Sequence, residues 1–167
     1  VALSKIPNYL QDLIDSDAIG SSAVTSAKIG SLPSGSVINV YQDLNEASTN
    51  TVTSSTSFIA SALSVTLTPV SSSSKFFMTT SMTMGSGSEG AAATFYRDST
   101  NLGNGTLGFG GHGYTGGRGN VSISYLDSPA TTSSITYAVY WKSRAGSAVE
   151  LPPWGEHQTL IIMEIAG

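Results

Sequence analysis

The chain has 167 residues, of which 11% are charged, against roughly 25% in an ordinary soluble domain, and its formal net charge is −4. Seven Lys and Arg scattered along an acidic chain give no basic patch to meet phosphates, which argues against a nucleic-acid partner. The absence of cysteine excludes disulfides and thiolate metal sites, and no run of 18 apolar residues exists to predict a membrane-inserted helix.

Ser, Thr and Gly stand where charge is missing, while 40% of residues are apolar. That balance suits a rigid β protein outside a cell or on a particle. The N-terminus lacks a basic stretch followed by an apolar core, so no signal peptide is expected. Val1 in place of Met points to a fragment or a processed chain.

Residues 1–16 carry the helix signal. Ser4 can cap a helix whose first turn accommodates Pro7. Leu3, Ile6, Leu10 and Leu13 follow 3-4-3 spacing, with Ile14 beside them. About two turns of helix are marginal alone in water, so the stripe has to be buried. It can pack on the chain's own domain or form a bundle between identical chains.

Residues 17–31 read DAIGS, SAVTS, AKIGS, with Ile19, Val24 and Ile29 at the centres. A period of five is neither that of a helix nor that of a strand. A flexible linker is one reading. Three parallel chains around a common axis, each presenting one apolar side chain inward per repeat, is the other. The trimer-interface candidates are therefore Leu3, Ile6, Leu10, Leu13, Ile19, Val24 and Ile29.

From Gly35 the pattern changes to period 2. Val37–Gln42, Leu63–Thr68, Phe76–Met84, Ala91–Tyr96, Val121–Tyr125 and Ile135–Lys142 alternate as strands. Leu160–Ile165 is nearly all apolar and predicts burial on both faces. Weaker strands are expected near Thr51–Ile59 and Ser147–Leu151. Turn residues separate these segments, and no helical pattern intervenes. The expectation is an all-β chain: an antiparallel β-sandwich of jelly-roll type over residues 35–167, preceded by a helix and repeat segment over 1–34. Leu63, Val65, Leu67, Phe76, Met78, Val139, Trp141 and Ile162 are its predicted core.

Two loops stand out. "GNGTLGFGGHGYTGGRG", 103–119, holds nine glycines, with Phe109, His112, Tyr114 and Arg118 among them. No G-K-[ST] follows, so it is not a phosphate loop. Glycine allows tight turns and close approach, and the interleaved rings and donors can meet a sugar or simply pack a hairpin. "VELPPWGEH", 149–157, stiffens its path with Pro152 and Pro153 ahead of Trp154 and His157. An exposed Trp is a stacking plate for a pyranose, and a buried one closes the end of a sandwich. Neither His112 nor His157 has a partner at metal-ligand spacing, and no G-x-S-x-G element supports a hydrolase. Glu150 and Glu156 are loop acids that can pair only in space. Neither a cofactor nor a metal is expected, and the chain reads as a binding protein, not an enzyme.

"AVTSAKIGS" followed by "LPSGSVINVYQ" resembles the shaft-to-head junction of bacteriophage tail fibres, especially those of marine and cyanobacterial phages. "FIASALSVTLTPVSSSSKFFM", "FYRDSTNLG", "SISYLDSPATTSSITYAVYWKS" and "LIIMEIAG" are similar, in that order, to their C-terminal head. The glycine-rich insert departs from the commoner pattern. The resemblance implies a homotrimer at the distal tip of a virion tail fibre, joined on its N-terminal side to other tail proteins. It implies attachment to a bacterial surface receptor, a glycan or an outer-membrane protein. A glycan depolymerase or esterase on the same particle, and a virion component without a receptor role, remain alternatives at this point. Phe109, His112, Tyr114, Arg118, Trp154 and His157 are the receptor-binding candidates.

Overall fold

The computed structural model describes residues 32–46, 50–86, 88–113, 116–152 and 155–167. The expected helix, the pentad segment and all seven trimer-interface candidates lie outside the described residues, as do Tyr114 and Trp154.

Among the described residues the structure is all β, in ten antiparallel strands: β1 (Val37–Asn45), β2 (Thr51–Thr53), β3 (Ile59–Leu67), β4 (Lys75–Ser86), β5 (Ala91–Arg97), β6 (Thr100–Asn101), β7 (Arg118–Asp127), β8 (Ile135–Ser143), β9 (Val149–Leu151) and β10 (Gln158–Ile165). No helix among them is long and apolar enough to cross a membrane. One sheet runs β1-β10-β4, with β7 along the far side of β4 and β9-β2 beside its end. The other runs β3-β8-β5-β6.

The alternating side chains explain why the sheets face each other. Phe76, Met78, Met82 and Met84 of β4 and Leu160 and Ile162 of β10 point to one side. They share a single core with Leu63 and Leu67 of β3, Phe95 of β5, and Tyr137, Val139 and Trp141 of β8. Seven of the eight predicted core residues are at most 5% exposed. Val65 is the eighth; it is half-buried and packs on the edge of the core.

Two strands depart from simple expectation. On β5, Ala92 and Thr94 are buried as fully as Ala91, Ala93 and Phe95. The glycine-rich insert supplies the cover. Residues 109–112 run along β5, with Phe109 N–H donating to Ala93 O, Ala93 N–H to Gly110 O and Ala91 N–H to His112 O. Side chains are excluded there: a Cβ on Gly108 or Gly111 would overlap the carbonyl oxygen of Ala93 or Ala91. Along β10 the apolar run predicts burial on both faces. Leu160, Ile162 and Glu164 are indeed buried, but Ile161, Met163 and Ile165, on the outer face, are only half covered.

Buried polar groups at the Val37 end are hydrogen-bonded, as low-dielectric surroundings require. Glu164 accepts from Asn39 Nδ2 at 2.9 Å and from Val70 N–H at 2.7 Å. Burial, followed by the charge of Glu164, raises the pKa of the Tyr41 hydroxyl above its ordinary value. Asp127 accepts from Arg97 Nη1 and from Tyr137 Oη, each at 2.7 Å. Burial pushes the Tyr137 hydroxyl far above its ordinary pKa, and the Asp127 carboxylate adds to the shift. Burial works against the charge of Arg97, but the bond to Asp127 more than offsets it and holds the guanidinium above its usual value.

Candidate functional site: a cleft at the end of the first sheet

The long strand β4 connects the two ends of its sheet. Its first residue pairs with Ile165 beside the start of β1, and its last two pair with β7 and β9. Eleven steps of about 3.3 Å separate those ends by roughly 36 Å. The chain therefore enters at Val37, and the β4–β7–β9 corner lies at the opposite end.

At that corner Gly85 pairs with Arg118 on one side and with Glu150 on the other. All three positions point to the outer face. Gly85 has no side chain, so the two flanking side chains reach over it. Arg118 Nη2 donates to Glu150 Oε2 at 3.4 Å, with each side chain about one-third exposed (36% and 33%). Gly116, Gly117, Ser86 and Ala148 complete a cleft of about 230 Å³. Its lining is otherwise small, so an acid and a base are the two large side chains that it presents. Such a site presents one donor fork and one carboxylate to a polyhydroxyl or peptide ligand.

The two loops singled out in the sequence meet here. Gly116 and Gly117 close the glycine-rich insert, and Glu150 lies on the strand that opens the Pro152–His157 loop. Arg118 is the sequence candidate that this cleft includes. Phe109 is turned inward, with its ring centroid 4.9 Å from Tyr125 and 5.8 Å from Phe95, so it anchors the insert. His112 is half-buried and lies over Gly119, where a Cβ would come within 2.5 Å of its Nδ1. It thus takes the inward place next to Arg118, which projects outward. His157 is exposed, one residue before β10. Tyr114 and Trp154 lie outside the described residues.

Sequence reading weighed Glu150 only as a loop acid and did not single out Gly85, Ser86 or Ala148. The usable signal was Gly85 directly after Met84, an absent side chain at the end of a perfect alternation. Among the described residues no three His, Asp or Glu side chains are grouped to hold a metal ion. No family model matches the chain, and no curated protein matches it.

Proposed function

We propose that this chain is the receptor-binding head of a bacteriophage tail fibre, a homotrimer at the distal tip that attaches the virion to a bacterial surface glycan or outer-membrane protein. Residues 1–34 form the helix and shaft that hold three copies together and join the rest of the tail. Residues 35–167 form a sandwich of jelly-roll type. The pairing supports that topology: β1 with β10, β3 with β8, β4 with β7, and β5 with residues 109–112. This is one long hairpin, first strand against last, wrapped so that β10 also meets β4 and β8 also meets β5.

The observation that carries the binding reading is the Arg118–Glu150 cleft, open at the sheet end opposite the point of chain entry. Loops can vary there without disturbing the core. Three heads on each of several fibres turn weak single contacts into firm attachment. No covalent step is required of the site.

The test uses the fluorescently labelled full chain on a panel of marine bacteria and cyanobacteria and on their isolated surface polysaccharides and outer-membrane fractions. Saturable binding to a subset, weakened at least tenfold by Arg118→Ala, is the expected result. Binding to none, or binding indifferent to Arg118→Ala, overturns the site assignment. Release of reducing sugar from a bound polysaccharide would move the chain to the enzyme class.

A further inference from the structure

The outer face of the first sheet is graded. From the Gly85 corner it begins with a charged pair, continues through Asn120, Thr83, Ser122 and Ser81, and becomes apolar toward Val37. Val40, Met163, Phe77 and Leu126 lie in one row across four strands, with Ile161 in the next row and Val37 at the near end. Val37 is 52% exposed, Val40 61% and Leu126 48%.

From this face we infer that copies of the chain pack against one another through the Val37 end of the β1-β10-β4-β7 sheet. The inference deepens the assembly half of the preceding reading by giving it a surface. Three observations select a second copy as the occupant. First, identical chains around a symmetry axis bring the residues beside that axis near their own counterparts, so a charge placed there meets its like. The apolar row Val40–Met163–Phe77–Leu126 carries no charge, nor does the next row, Gln42–Ile161–Thr79–Ser124; Lys75 lies beyond them, in line with Val37 and Ile165 at the end of the face. Second, β10 has the near-continuous apolar run of a strand covered on both sides, yet the head covers its outer side only in part. Third, even the whole Val37 half of the face, four strands by three or four rows with polar neighbours included, amounts to roughly 400 Å², about half of what one partner gives to a standard interface. Association through this face therefore needs a second segment. Residues 1–33, with their apolar stripe and pentads, directly precede Ser34 and the first strand of this face.

The test is the solution mass of the full chain across a concentration series, for the parent, for Val40→Lys with Leu126→Lys, and for Thr66→Lys as a charge control on the other sheet. The parent and the control are expected to share a multiple of the single-chain mass. The double variant is expected to need at least tenfold more protein to reach it. A parent of single-chain mass overturns both the assembly reading and this inference. A double variant that associates like the parent overturns this inference alone, including the case in which residues 1–33 of the same chain cover the face. Should the lysines unfold the head, single cysteines keep the question answerable, because the chain has none of its own. Val40→Cys is expected to form an inter-chain disulfide under mild oxidation and Thr66→Cys is not; equal cross-linking of the two overturns the inference.

Discussion

The two ends of β7 carry the same chemistry in opposite settings. At the Val37 end, Asp127 is 6% exposed, and its carboxylate accepts from Arg97 and from Tyr137. At the other end, Arg118 meets Glu150 at a longer distance, with both side chains about one-third exposed. A buried carboxylate must keep every partner, because losing one leaves a desolvated group behind. An exposed pair gains little from its own contact and can exchange it for a ligand. One end of a single strand thus fastens the sheets together, and the other borders an open cleft.

Stability should register that contrast. Phe76 sits opposite Asp127 across the β4–β7 ladder, is fully buried, and packs on Tyr137 at 5.6 Å. Phe76→Ala is expected to cost about 3–5 kcal/mol in denaturant unfolding, the largest effect here. Asp127→Ala follows at about 2–4 kcal/mol, because it strands the Tyr137 hydroxyl in the core and leaves Arg97, partly exposed, without its acceptor. A loss under 1 kcal/mol would show that the buried end is no tighter than the open one, and the comparison would fail.

Tyr137→Phe sharpens the same end. At neutral pH it is expected to cost about 1–2 kcal/mol, since Asp127 keeps Arg97. Its pH dependence is more telling. An unfolded tyrosine loses its proton near pH 10. The folded Tyr137 holds its proton well beyond that. Its contribution is therefore complete below about pH 10 and is lost as pH rises further, when the unfolded chain sheds a proton that the folded chain keeps. Denaturant midpoints from pH 8 to 11 should fall less steeply in Tyr137→Phe than in the parent. Some slope will persist, because Tyr41 is shifted in the same direction. Parallel curves would contradict the assignment.

The strands were legible because side chains report on them. Phe76, Met78, Met82 and Met84 recur at every second or fourth position, and the core lies where they point. The insert was less legible because its hydrogen bonds are made by backbone. Nine glycines in 103–119 read as a loop, while Gly110 and His112 bond to β5 as an edge strand does. Phe109 reads equally as a ring that meets a receptor and as one that packs inward, because its neighbours Phe95 and Tyr125 lie on β5 and β7. The Arg118–Glu150 pair spans 32 positions and depends on the register of three strands around Gly85. Spacing along the chain does not encode such a meeting.

The smallest effect on stability should accompany the largest effect on binding, at the open end of β7. Arg118→Ala and Glu150→Ala remove a long contact between side chains that are each about one-third exposed. Each change is expected to shift unfolding by about 0–1 kcal/mol, and a double-mutant cycle should give a coupling within the same range. Attachment to cells should behave otherwise. Arg118→Ala removes the donor fork from the cleft lining, whereas Arg118→Lys keeps the charge without the fork. A ligand gripped by two parallel hydrogen bonds would lose affinity in both variants; one held by charge alone would tolerate Lys. High salt should weaken the second mode more than the first. Unfolding curves measured on the same samples keep the result clear, because a variant that loses attachment and stability together would show the Arg118–Glu150 pair to be a brace like Arg97–Asp127, and the two ends of β7 would no longer differ.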